Sequence, residues 1–434
     1  MDLLYARWQM GLSLAFHIIF AVIGMAMPVM MVAAEVAWIR TGRSEYLDLV
    51  KRWARGTAIL FAVGAVSGTV LSFELGLLWP AFMESAGHII GMPFSLEGFA
   101  FFLEAIFLGL YLYGWEKLSP WAHAFAGVMV SIGGALSGAF VVTANAWMNT
   151  PAGFRLVEGK MVDVDPFAAM FNPAAGAQVV HMLLAAYAAV GVGVAGIHGR
   201  LLLRHPDDGF HRRAFGIAST VGLLASLLQP LSGDWAARVV ARTQPAKLAA
   251  LEGQFRTESY APLRIGGLPD VEARQTRYAL EIPGALSVLA HGDPAAAVTG
   301  LNDIPRANWP PVAAVHLAFQ VMVAIGGWLA VLALWAAVLW WRGRLFHSGL
   351  FLRAMVLSTP LGFVALEAGW MVTELGRQPW IIQGVMRTSE AVTPMPGLGV
   401  PFALFTLIYL ALGSVVIVLI RRTVLETVSK GSHR

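Results

Sequence analysis

Residues Leu366–Trp380 read LEAGWMVTELGRQPW and close a long apolar run that begins near Leu352. Such a run is the end of a membrane-spanning helix, yet this one carries Glu367, Glu374 and Arg377 together with Trp370 and Trp380. A carboxylate in a spanning segment is costly and is kept mainly where it faces a bundle interior and has a partner. Glu367, Trp370 and Glu374 are spaced three and four residues apart, so they share one helical face. Read alone, the stretch is equally a helix end reaching the headgroup layer, with Arg377 and Trp380 as anchors. What weighs between the two readings is how many comparable residues elsewhere lie at the same depth.

The surrounding chain is of the same kind. Of its 434 residues 57% are hydrophobic and 13% charged, against roughly 25% charged in a soluble domain. Runs of about twenty apolar residues predict an all-α, polytopic membrane protein with nine transmembrane helices. They run near 12–39, 53–79, 93–113, 121–147, 177–202, 214–233, 312–341, 352–375 and 398–420. Six helices thus fill 1–233, and three helices with a short tail fill 312–434. Between them, 234–311 is polar, rich in Pro, Gly and Arg, and too long for a simple connection, so it is expected to be a functional extramembrane loop. Basic residues are spread among the loops, which argues against a nucleic-acid partner. There is no cysteine. Disulfides, iron–sulfur clusters and covalently attached c-type haem are therefore excluded, leaving His, Met, Glu and Asp as metal ligands. The first apolar run is too long for a cleaved signal peptide and reads as a retained helix.

Orientation follows from Lys and Arg in the short loops. The loops after spans 1, 3, 5 and 7 and the tail hold seventeen, from Arg40, Arg43, Lys51, Arg52 and Arg55 to Arg421, Arg422, Lys430 and Arg434. The N-terminus and the opposite short loops hold five: Arg7, Arg155, Lys160, Arg377 and Arg387. The positive-inside rule then puts the N-terminus and the 234–311 loop outside and the C-terminus in the cytoplasm.

With that topology His17, Glu97, His181, Met322 and Glu374 are all expected within roughly the outer 15 Å of the bilayer, at 1.5 Å per residue. Each has an ordinary explanation alone: a histidine at a helix end is commonly just hydrogen-bonded, and a methionine fills core space. Their convergence at one level is harder to dismiss, since His and Met are haem axial ligands. No regular metal spacing such as HExxH is present, so haem is one reading among others at this point. Glu97 and Glu104 lie two turns apart on one face, Glu104 roughly 10 Å deeper, a stacking that suggests a proton relay leading inward. Asn145 and Glu74 are further intramembrane polar residues, to which no catalytic role is assigned. Two alternatives stand beside a redox enzyme. An ion-coupled transporter predicts discontinuous helices at the midplane and often an inverted repeat, and neither is seen. A haem b electron-transfer subunit without oxygen reduction would need only bis-ligated haems.

Several blocks, in order, resemble subunit I of the cytochrome bd-type quinol oxidases. They are FHIIF around His17, SLEGFAFFLEAIFLGLYLYGW from Ser95 to Trp115, TANAWMNTP from Thr143 to Pro151, FNPAAGAQVVH ending at His181, TQPAKLAALE from Thr243 to Glu252, and EAGWMVTELGRQPW from Glu367 to Trp380. The resemblance covers nearly the whole chain. It implies a haem-containing subunit of a terminal oxidase in a bacterial cytoplasmic (inner) membrane. Such an enzyme oxidises quinol at the outer face and reduces dioxygen to water at a di-haem site, releasing protons outside and taking them up from inside. The implied cofactors are a low-spin haem b, a high-spin haem b, and a haem d or a further haem b in its place. The implied partners are a second large membrane subunit and small single-helix subunits.

By motif position, His181 and Met322 resemble the axial ligands of the low-spin haem. His17 and Glu374 resemble ligands of the other two, without saying which holds which. Glu97 resembles the carboxylate beside that pair and a further ligand there, and Glu104 the family's proton-path glutamate. Trp370 and Arg377 resemble residues lining the pair, Arg377 against propionates, since guanidinium pairs well with carboxylate. Lys247 and Glu252 match the Lys and Glu of the family's quinol-binding loop. A quinol loses two protons with its two electrons, so an acid/base group is needed there. Two departures stand out. The chain passes almost directly from EIPGALSVLAHGDP to span 7, a short-loop form found among cyanide-insensitive members. Gln320, two residues before Met322, stands where some members have Arg, so a propionate contact there is expected to be weaker or supplied elsewhere.

Overall fold

The computed structural model of the protein describes residues 1–422; Lys430 and Arg434, counted above with the basic tail, lie outside the described residues. Helices α1 (Asp2–Thr41), α2 (Ser44–Leu78), α3 (Pro80–Tyr113) and α4 (Pro120–Asn149) come first. A hairpin of β1 (Arg155–Val157) and β2 (Lys160–Val162) and the short α5 (Pro166–Met170) lead to α6 (Ala175–Leu202) and α7 (Gly209–Thr243). The large loop contains α8 (Pro245–Glu252), the strands β3 (Leu263–Ile265), β4 (Leu268–Asp270), β5 (Gln275–Arg277) and β6 (Leu280–Ile282), and α9 (Ala285–His291). Strand β4 pairs with β5 and β3 with β6, so one hairpin is nested in the other. Then follow α10 (Val312–Trp341), α11 (Gly349–Leu357) and α12 (Leu361–Arg377). The hairpin of β7 (Trp380–Ile382) and β8 (Met386–Arg387), α13 (Thr388–Ala391) and α14 (Gly399–Ile420) complete the described chain.

Among the described residues nine helical segments are long and apolar enough to cross a membrane, with α11 and α12 counted as one. The expected nine-span, helical architecture is the one observed, and strands occur only in connections. The reason is that apolar helices satisfy every backbone group internally, which hydrocarbon demands.

Several boundaries differ from the hydropathy reading: α1, α2 and α3 begin at Asp2, Ser44 and Pro80 rather than near 12, 53 and 93, and two further departures bear on the loop and the eighth span. Helix α7 continues past 233 to Thr243, because backbone hydrogen bonding does not stop where apolar residues do. It ends before Gln244–Pro245, where proline disfavours the helical conformation of the residue before it. The eighth span is interrupted at Ser358–Pro360, since Pro360 has no N–H to continue the ladder. The break is tied in: Ser358 Oγ donates to Ala354 O at 2.8 Å and accepts from Trp328 Nε1 of α10 at 2.9 Å.

Small residues bring the helices close. At the α6–α7 crossing, Gly191 and Gly222 face each other, and a side chain on either would run into the other's backbone. The connections gather at two ends. At one, Arg213 reaches Glu45 at 3.0 Å, Arg212 meets His347 at 3.2 Å, and Lys51 and Arg52 lie over Trp115 and Phe210. At the other, Asp2 Oδ1 accepts from Gly397 and Leu398 at 3.1 Å, Thr393 N donates to Leu78 O, and Gln383 N donates to Met148 O. Here they are called the basic end and the loop end.

Candidate active site

The two histidines that the sequence singles out are held in the same way. His17, on α1, places Nδ1 2.9 Å from Ser67 Oγ of α2. That hydroxyl already donates to Val63 O at 2.9 Å, so it accepts from His17 and the proton sits on Nδ1. His181, on α6, places Nδ1 2.9 Å from Ser232 Oγ of α7, and Ser232 likewise donates to Gln229 O at 2.9 Å. In both rings Nε2 is left as the lone-pair nitrogen, the arrangement of a histidine poised as a metal ligand. Gln229 Nε2 lies 3.2 Å from His181 Nε2 and donates to that lone pair. Glycines let the rings approach: a Cβ at Gly68 would lie 3.0 Å from His17, and one at Gly233 3.5 Å from His181. His181 is six residues into its helix, whereas His17 and Glu97 lie some four turns into helices that begin at Asp2 and Pro80 rather than at the opening of a span. Met322, on α10, presses its thioether on Gly369 of α12, where a Cβ would be 3.0 Å from Sδ.

On α12, Glu374 is bonded on both oxygens. Arg377 Nη2 donates to Oε2, and Asn145 Nδ2, from α4, donates to Oε1. Asn149, one turn further along α4, donates to Asn145 O at 2.9 Å and accepts from Lys247 Nζ of α8. Lys247 lies over Gly376 of α12, which has no side chain to obstruct it. The structure therefore brings Lys247, Glu374 and Arg377 together through two asparagines. Trp370 is half-buried one turn before Glu374 on the same helix face. Burial and the charge of Arg377 pull the Lys247 ammonium down to about 7, against Glu374, which favours its charged form.

Glu252 is also buried on α8, but five residues on it leaves the helix about 140° away from Lys247. Burial pushes its carboxyl up to about 7, opposed by the positive charge of Arg264. Gln320 spends both ends of its amide on the loop backbone, donating to Arg264 O at 3.0 Å and accepting from Gly266 N at 2.9 Å. Glu97, on α3, accepts from Ser137 Oγ of α4 at 3.0 Å. Glu104, two turns along, is buried against Gly133 and Gly134 of α4, with a Cβ at Gly134 only 3.1 Å from its Oε1. Glu74 is held by Gln9 at 3.0 Å and Ser13 at 2.9 Å, a tie between α1 and α2.

The donor set suits haem iron. Among the described residues no three His, Asp or Glu side chains gather as a bare ion would require. The candidate ligands come singly instead, as axial ligands to a porphyrin do. Arg377 is 3% exposed, and its Nε and Nη1 have no partner in the chain, which fits a propionate. Sequence reasoning missed Ser67, Ser232 and Asn149, and gave Asn145 no role. The one signal for the asparagines was their four-residue spacing in TANAWMNTP; nothing local marks the serines.

The family model for "Cytochrome bd terminal oxidase subunit I" matches residues 5–428. The structure superposes on the bd oxidase from Geobacillus thermodenitrificans with a TM-score of 0.91 at 40% identity, covering 97% of this chain and 98% of that one. A Bacillus subtilis (strain 168) protein, provisionally named cytochrome bd menaquinol oxidase subunit I, is 38% identical over 424 residues, 96% of this chain and 95% of its own. The cytochrome bd-II ubiquinol oxidase subunit 1 of Escherichia coli (strain K12) is 29% identical over 455 residues, covering 89% and 88%. With the nine-span bundle already in place, the match over nearly the whole length makes this chain a member of the cytochrome bd terminal oxidase subunit I family.

Proposed function

We propose that this haem-bearing subunit of a terminal quinol oxidase oxidises quinol at the loop end and reduces dioxygen to water at a di-haem site close by. The observation that carries the reading is the paired treatment of His17 and His181, each fixed at Nδ1 by a serine so that Nε2 carries the lone pair that would bind iron, the Gln229 amide giving way at His181. His181 and Met322 would hold a low-spin haem b, and His17 and Glu374, with Glu97 beside them, a high-spin haem b and a haem d or a further haem b. When bound, these groups carry electrons from quinol to dioxygen.

The chain's own residues supply the proton chemistry and the positioning. Glu252, buried in the quinol loop, accepts a proton from the quinol hydroxyl and passes it outward. Lys247 is held by Asn149 beside Glu374 and Arg377, joining the quinol loop to the oxygen-reducing side. Trp370 lies one turn before Glu374 on the same helix, and Arg377, with Nε and Nη1 unpartnered in the chain, would pair with haem propionates. Glu104 and then Glu97 with Ser137 pass protons taken up at the basic end toward the loop end. Seventeen Lys and Arg in the connections and tail against five support a cytoplasmic basic end and an outward loop end. Release outside and uptake inside generate a proton-motive force. The expected setting is a bacterial inner membrane, with a second large subunit and small single-helix subunits alongside.

The test is a reduced-minus-oxidised optical spectrum of the purified complex, with and without carbon monoxide. Haem bands that shift in part with carbon monoxide are expected. Bands wholly indifferent to it would leave only an electron relay, and absence of bands would overturn the reading.

A further inference from the structure

The loop that carries Glu252 is pinned to α10 by two side chains one turn apart. His316 Nδ1 meets Leu251 O at 2.7 Å and its Nε2 meets Gly266 O at 3.1 Å. Gln320 holds Arg264 O and Gly266 N. All four contacts are to backbone, so they fix the course of the chain: the last turn of α8 on one side, the β3–β4 turn on the other. That turn needs glycine, with Gly266 and Gly267 at φ +69° and +96°. Strand β3 is thereby held against the end of α8, and Arg264 is carried on it.

The Arg264 side chain is 12% exposed. Its Nε donates to Glu281 Oε1 of β6 at 2.9 Å and its Nη1 to Gln254 Oε1, two residues beyond Glu252. Glu281 is itself 49% exposed, so water screens that pair, and the positive charge of Arg264 also acts on the buried Glu252 carboxyl. Glu252 Oε2 has no hydrogen-bond partner in the chain. The other charged groups around α8 are engaged elsewhere. Glu374 and Arg377 of α12 face Lys247, Arg238 of α7 pairs with Asp234, and Glu258 is bonded by Gln254. Two further titratable neighbours are His316 of α10, seated on Leu251 O, and Asp303, at the end of the short turn Leu301–Asp303 that packs on α8.

We propose that Arg264 is a positioning residue for quinol oxidation: a cation, delivered by β3 and held at the end of α8 by Gln320 and His316, that keeps Glu252 in the ionised form able to accept a quinol proton. The inference rests on Glu252 being the quinol base. A buried carboxylate stays ionised only beside a positive charge, and arginine supplies one that no accessible pH removes. Gln320 contributes no charge itself and instead brings a charged residue from the loop.

The experiment is steady-state quinol oxidation by the purified oxidase complex across pH. Removing the cation lets Glu252 hold its proton to higher pH, so Arg264→Gln moves the acidic limb upward by about one pH unit. Turnover on that limb falls about tenfold while the alkaline plateau and the haem spectrum stay near those of the parent. Arg264→Lys keeps the limb near its original place, and Gln320→Ala shifts it upward by less. A parental profile in Arg264→Gln overturns the proposal. So does an equal loss at every pH that Arg264→Lys does not relieve, because that is the mark of a structural prop. If Arg264→Gln fails to assemble, an unshifted limb in Gln320→Ala overturns it instead. Glu252→Gln separates the two levels: full turnover there sinks the quinol-base reading itself, whereas loss of turnover there with a parental Arg264→Gln sinks only the role of Arg264.

Discussion

The two ends of the bundle are built from the same helices by opposite rules. At the basic end the connections are short and ion pairs such as Arg213–Glu45 stand partly in solvent. At the loop end three of the connections are long, α2 and α3 being joined at Trp79 alone, and several polar groups are buried without full satisfaction. Gln229, Gln244, Glu252, Glu367 and Arg377 all carry buried polar atoms with no partner in the chain, against Arg213 at the basic end. Each such atom costs about 1–3 kcal/mol, so a cluster of them marks a place that binds something. On the proposed function, one end sets how the protein sits in the membrane and the other does the chemistry.

This contrast can be broken experimentally, most severely at the iron ligands. His181→Ala is expected to abolish quinol oxidation and remove the low-spin haem band from the difference spectrum, while the chain remains inserted in the membrane fraction. An unchanged low-spin band would refute the ligand assignment. Glu252→Gln should slow quinol turnover by about 10²–10⁴, the usual worth of a general base, with haem content retained. In the parent enzyme turnover should rise with pH through about 7, where the Glu252 carboxyl loses its proton; a flat profile from pH 5 to 9 would count against a base there.

Asn149→Ala leaves the buried Lys247 ammonium without its acceptor. A penalty of about 1–3 kcal/mol predicts turnover lowered by roughly tenfold or a clear drop in the thermal midpoint of the complex. Neither change would mean that the asparagine bridge is incidental. The smallest effect is expected at the basic end. Arg213→Ala removes a part-exposed ion pair worth about 0–1 kcal/mol, and turnover and midpoint should match the parent. A large loss there would erase the distinction between the ends.

Much of this arrangement is written in the sequence, because insertion in a bilayer is governed by local composition. Apolar runs alone place nine helices, and Glu97, Glu104, Glu367 and Glu374 stand out because hydrocarbon makes each of them costly. The spacing of Glu97 and Glu104 puts them on one face without any tertiary knowledge. Boundaries were less legible: α7 runs to Thr243 and Pro360 breaks the eighth span, since hydrogen bonding and proline geometry, not hydropathy, end a helix. What only the tertiary structure decided is which groups meet. Ser67 and Ser232 choose which nitrogen of each histidine keeps its lone pair, and two asparagines tie Lys247 to Glu374. The turn of α8 sends Lys247 and Glu252 to different neighbours, and Arg264 arrives from a hairpin that Gln320 holds in place. Those are contacts between residues tens to hundreds of positions apart, set by helix rotation and packing, and no local pattern encodes them.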